Sequence, residues 1–126
     1  METLEFATPA ISVCARDRAR STTFYRDSLG LVLEREDALA AVFRAGGITL
    51  RVATVADFTP HGHTMLGFCV PDVAETVKSL RARGVVFERF SHLPQDELGI
   101  FALPGGKIHV AWFKDPDGNI LSVTNA

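Results

Sequence analysis

The chain has 126 residues, 47% of them hydrophobic, with a formal net charge of −2. That is enough for one compact domain with a real core, and it leaves no basic footprint for nucleic acid. No apolar run approaches the ~20 residues that span a bilayer, and Met1 to Ala10 carries Glu2 and Glu5 where a leader would be basic, so a cytoplasmic location is expected.

In chain order, Ala10 to Cys14 is short and apolar and reads as a buried strand. Asp17 stands where an N-cap would, ahead of a helix over Arg18 to Ser28 with Ala19, Thr23 and Phe24 at face spacing, closed by Gly30. Arg16, Arg18 and Arg20 beside Asp17 read as a solvated helix start. Strands follow over Leu31 to Arg35, Ala40 to Arg44 and Ile48 to Thr54, with Gly46-Gly47 as a hairpin turn. These make a first βαβββ unit, about residues 7–55. A linker covers about 56–63, where Asp57, Pro60 and Gly62 break the periodicity.

The second unit, about residues 64–126, opens with a strand from Met65 to Val70. Asp72 caps a helix with Glu75 in the capping-box place, and Val73, Val77 and Leu80 form its core stripe. Gly84 ends it. Val85 to Phe90 reads as a strand, Ser91 to Leu98 as a polar loop, and Ile100 to Leu103 as a short strand turning at Pro104-Gly105-Gly106. The dense β-branched and aromatic runs His109 to Phe113 and Ile120 to Thr124 are a hairpin. In its turn, Pro116 presets φ, Asp117 can bond its own backbone, and Gly118 allows positive φ.

The halves echo one another. Phe43-Arg44-Ala45-Gly46-Gly47 leads into Leu50-Arg51-Val52 as the final hairpin leads into Leu121-Ser122-Val123, and Ala10 and Met65 each lie seven residues before the capping aspartates. A duplication of this kind decides the fold. The expectation is α+β: two tandem βαβββ modules in one domain, forming a curled, roughly eight-stranded mixed sheet around a pocket, helices outside. Cys14 and Cys69 occupy matching places and read as small buried hydrophobes in a reducing compartment.

Two stretches carry a resemblance. Phe24-Tyr25-Arg26-Asp27-Ser28-Leu29-Gly30-Leu31 and Phe113-Lys114-Asp115-Pro116-Asp117-Gly118-Asn119 closely match motifs of the vicinal oxygen chelate superfamily. That superfamily includes glyoxalase I, extradiol dioxygenases, methylmalonyl-CoA epimerase, and fosfomycin and bleomycin resistance proteins. The resemblance covers essentially the whole chain and implies the paired-module fold, and often a homodimer. It also implies a divalent metal held by His or Gln, Glu, His and Glu at positions that here are Ala10, Arg51, Met65 and Ser122. Alanine has no donor, arginine is a fixed cation, methionine is a soft thioether and serine a weak neutral ligand, so no metal and no other cofactor is expected.

What remains is a pocket of Ala10, Ser12, Arg51, Met65, Phe68, Phe101, Trp112, Phe113 and Ser122 for a small, partly aromatic or anionic molecule. Arg51 on an inner face demands a counter-anion (Glu97, Asp96 or a ligand acid) or reaches solvent. The leading expectation is a metal-free binding protein, as bleomycin resistance proteins of the family resemble. The alternative is an enzyme of the lyase, isomerase or dioxygenase type, with a displaced metal on His63, His109 and Glu97 or with metal-free acid–base catalysis by Glu97 or a histidine.

Overall fold

The structure, a computed structural model, describes residues 3–126, divided into two compact units between Phe58 and Thr59. The first unit contains β1 (Ala10–Ala15), α1 (Arg18–Thr23), β2 (Val32–Glu36), β3 (Ala40–Ala45) and β4 (Ile48–Thr54). Its sheet runs β1-β4-β3-β2, with β1 parallel to β4 and the other pairs antiparallel. The second unit contains β5 (Thr64–Cys69), α2 (Val73–Ala82), β6 (Phe101–Ala102), β7 (His109–Lys114) and β8 (Ile120–Thr124). Its sheet, β5-β8-β7-β6, repeats the plan, β5 lying parallel to β8. The fold is α+β with two βαβββ modules. Eight of the nine expected strands form, hydrogen-bonded as two four-stranded sheets. Among the described residues no helix is long and apolar enough to cross a membrane.

Each sheet has one strongly apolar face. In the first unit, Val13, Ala15, Ala41, Phe43, Leu50 and Val52 are all buried, and cross-strand pairing puts Phe43 opposite Leu50 and Ala41 opposite Val52. α1 packs on β3 and β4, and the Tyr25 ring lies 5.9 Å from Phe43. In the second unit, Ala111, Phe113, Leu121 and Val123 are buried, as are Val73 and Val77 of α2, which packs on β7 and β8. Both capping aspartates act as expected: Asp17 accepts from the Arg20 N–H and Asp72 from the Glu75 N–H, each at 3.1 Å. The Glu75 carboxylate turns instead to Lys78 Nζ, at 3.4 Å.

The first helix departs from its expected face. After Thr23 it widens into a π-turn over Phe24–Ser28, closed by the Leu29 N–H on the Phe24 carbonyl at 3.0 Å. Ser21, Thr22 and Tyr25 are buried, while Ala19 and Thr23 are exposed.

The segment Val85–Phe90 is not a strand. A single bridge joins Phe87 to Phe113. The Gln95 side chain replaces the missing ladder: its Oε1 accepts from the Phe90 N–H at 2.7 Å, and its Nε2 donates to the Glu88 and Gly99 carbonyls at 2.9 and 2.8 Å. Nor is Cys69 buried. It is exposed, its Sγ donating to the Ala126 carbonyl at 2.9 Å; Cys14 is half-buried, and neither is in a disulfide.

In the β7–β8 hairpin Asp115 organises the turn. The Asp115 carboxylate accepts from the Asp117 N–H at 2.9 Å, the Asn119 N–H at 3.0 Å and Asn119 Nδ2 at 2.8 Å. Gly118 closes the turn at φ +90°, where a Cβ would sit 3.1 Å from Pro60 Cγ. Gly118→Ala is therefore expected to cost about 1–3 kcal/mol of stability from backbone strain, read as a lower urea midpoint with an unchanged slope.

Candidate functional site

The pleat of β7 separates two neighbours that the sequence places together. Phe113 is fully buried against Phe87, ring centroids 5.3 Å apart. Trp112 points to the opposite face and is half-buried. Phe113 is thus a core residue and not part of a ligand pocket. Phe68 also belongs to the core face, paired in register with Val123.

On the Trp112 face an aromatic group assembles. Phe90 meets Trp112 edge-on at 5.4 Å, and Phe101 lies tilted at 6.4 Å. His92 lies 6.0 Å from Phe90. Beside them is a cleft of about 230 Å³ lined by His63, Thr64, Phe90, His92, Trp112 and Ile120 among others. His63 stacks on His61, centroids 5.4 Å apart and planes 6° apart. Ser122 pairs in register with Trp112 and with Gly67, so its buried hydroxyl lies on this same face. Met65 is the extra residue at a bulge in β5 and is half-buried.

Phe90 and His92 are legible as residues but not as site members, because they arrive on the loop that replaces the expected strand. That loop is tied down at several points besides Gln95. The Glu88 N–H donates to the Trp112 carbonyl at 2.7 Å. Asp96 Oδ1 accepts from the Leu98 and Ile100 N–H groups, both at 2.9 Å. Arg89 Nη2 donates to the Asp96 and Glu97 carbonyls at 2.6 and 2.9 Å. Glu97 itself is exposed and lines a different cleft, with Arg81, Arg89 and Val86, so it is not brought to the aromatic group.

The first unit gathers the other expected residues. Cross-strand register places Ser12, Arg51, Val42 and Arg35 in one row across all four strands. Ala10 lies two residues from Ser12 along β1, on the same face. The counter-anion of Arg51 is neither Glu97 nor Asp96. It is Asp37, whose Oδ2 lies 3.3 Å from Arg51 Nη2 and 3.0 Å from Arg35 Nη1. Asp37 Oδ1 accepts from the Leu39 and Ala40 N–H groups at 2.8 and 2.9 Å. Those backbone bonds, and then the two guanidiniums, hold the Asp37 carboxyl far below the usual carboxylate range.

A carboxyl depressed in this way stabilises the fold fully above its unfolded pKa of about 3.9, and loses that contribution as pH falls through the depressed folded value. Thermal melts of the wild type and Asp37→Asn should therefore differ by a constant margin from pH ~7 to ~4, and the margin should narrow below that.

The residues at the family's metal positions do not fit a divalent ion. Ala10 and Met65 bring no oxygen or nitrogen donor, and Arg51 brings a guanidinium already set against a carboxylate. Among the described residues no three His, Cys, Asp or Glu side chains stand close enough to hold an ion, so His63, His109 and Glu97 are not brought together.

The architecture recurs in solved structures. The chain is similar to a lactoylglutathione lyase from Agrobacterium tumefaciens (19% identity, TM-score 0.72, covering 97% of this chain and 95% of that one). It is similar to a genomically encoded fosfomycin resistance protein from Listeria monocytogenes (14%, 0.73, 94% and 91%). It is also similar to a glyoxalase/bleomycin resistance protein/dioxygenase from Alicyclobacillus acidocaldarius (17%, 0.73, 98% and 93%). At these identities the likeness is one of fold. No curated protein matches the chain in sequence. The profile of the Glyoxalase/Bleomycin resistance protein/Dioxygenase superfamily matches residues 8–123, and the chain belongs to that superfamily.

Proposed function

We propose that this chain is a metal-independent binding protein for a small, partly aromatic molecule, held against Trp112. The observation that carries the reading is the aromatic group itself: Phe90, Trp112 and Phe101 gathered on one sheet face beside a cleft with polar edges at His63, His92 and Thr64. Aromatic walls with a few polar groups suit a flat organic ligand. The volume, about 230 Å³, falls below the ~300–1,000 Å³ typical of drug-sized sites, which favours a ligand of about one ring. The donor chemistry at the family's metal positions supports binding without an ion. The homodimer implied by the resemblance and the cytoplasmic location expected from the sequence belong to the same proposal, and sedimentation velocity checks the first.

The chain has one tryptophan, so its fluorescence reports this cleft alone. Titration with 4-nitrophenol, catechol and benzoate is expected to quench it saturably for at least one probe, with no change on adding EDTA. Phe90→Ala should weaken that probe about tenfold, equivalent to ~1.4 kcal/mol. Quenching that never saturates, or that EDTA abolishes, would refute the reading.

A further inference from the structure

The mismatch at the metal positions has a positive side. Arg51 is nearly three-quarters buried, its side chain 27% exposed. Among the described residues it uses one N–H, from Nη2, on Asp37. Arg35 reaches the same Asp37 oxygen. The carboxylate therefore already has four partners: two backbone N–H groups and two guanidiniums. Nearby Glu34 is set against Arg44 at 3.7 Å and does not offset Arg51. Arg18 adds a third guanidinium to the turn, donating to the Asp37 and Ala38 carbonyls. One carboxylate faces two arginines in the row, so the face carries a net positive charge. Its remaining donors, in a partly desolvated place, call for acceptors.

We propose that the row Ser12–Arg51–Val42–Arg35 is a second site, one for a small oxyanion such as a carboxylate or phosphate group. The Ser12 hydroxyl is the cross-strand neighbour of Arg51 on the side away from Val42. The free N–H groups of Arg51 grip two anion oxygens in a fork, and Ser12 Oγ donates to one of them. Val42 keeps the floor between the arginines apolar.

The site lies wholly in the first unit and does not depend on the aromatic cleft. The full ¹⁵N-labelled chain is titrated with inorganic phosphate, phenyl phosphate, benzoate and neutral benzamide while the Arg51 Nε–Hε resonance, assigned by its loss in Arg51→Lys, is monitored. A saturable shift with phosphate or benzoate and none with benzamide is expected, and whichever anion saturates first names the source. Inorganic phosphate has no ring to stack on Trp112, so a shift of the Arg51 resonance with it tests this row rather than the aromatic cleft. By isothermal titration calorimetry with the same anion, Arg51→Met should weaken binding about tenfold and Ser12→Ala about threefold. Should Arg51→Met fail to fold, Arg51→Lys, which keeps the charge and loses the fork, should still weaken it. An Arg51 resonance indifferent to all the anions, or equal response to benzoate and benzamide, would overturn the proposal.

Discussion

Asp115→Ala is expected to lower the unfolding free energy by about 4 kcal/mol. Asp115 is 5% exposed, and its carboxylate closes three hydrogen bonds across the turn. A hydrogen bond to a charged group contributes roughly 1.5–3 kcal/mol, and donors left buried without an acceptor cost more than donors returned to water. Asn119, source of two of those donors, is fully buried. The three bonds share one acceptor group, so their loss is less than additive. Asp115→Asn keeps one carbonyl oxygen and should lose about half as much. Against a total of about 5–15 kcal/mol for a domain of this size, the alanine variant stands near the edge of folding. Urea denaturation tracked by far-ultraviolet circular dichroism measures it, and a loss under about 1 kcal/mol would refute the turn's role as a structural staple.

Phe113→Ala and Trp112→Ala should part ways although they are adjacent. Phe113 is fully buried, paired across the sheet with Leu121 and packed on Phe87. Truncation there leaves a cavity, and about 4 kcal/mol is expected, within the range for buried aromatics. Trp112 is half-buried on the other face. Its removal should cost about 1–2 kcal/mol from lost edge-to-face contacts and partial burial. Ligand binding should reverse the order: Trp112→Ala loses it in calorimetry, while Phe113→Ala, where folded, retains it. Similar stability losses in both would mean that β7 does not divide core from site.

Much of this is readable in the residues. The two capping aspartates, the span Ile48–Thr54 and the Gly46-Gly47 turn obey local rules, and local rules hold where neighbours satisfy the backbone. The unfit metal positions are legible too, because donor chemistry belongs to the side chain whatever its surroundings. Val85–Phe90 misleads because its β-branched and aromatic residues suit a strand, while its hydrogen bonds are satisfied by a glutamine several positions on. No periodicity announces that substitution. The buried face of the first helix, Ser21, Thr22 and Tyr25, keeps ordinary helical spacing but starts on small polar residues, which carry no apolar signal in the sequence. The partner of Arg51 lies fourteen residues back, at Asp37. Once β2, β3 and β4 are laid in register the pairing is natural, but a linear reading of charges has no means of choosing it over Glu97.

The parallel pairing of β5 with β8 carries a consequence for biosynthesis. β8 occupies an interior position in its sheet, between β5 and β7, although it is the last strand of that sheet to be made. A nascent chain halted on the ribosome with residues only to Asn119 emerged would leave β5 with no neighbour and β7 with the two-residue β6 as its sole strand partner. The first module, with all its strands already synthesised, faces no such delay. The two halves of one duplicated plan should therefore mature at different times, the later one waiting on its final five-residue strand.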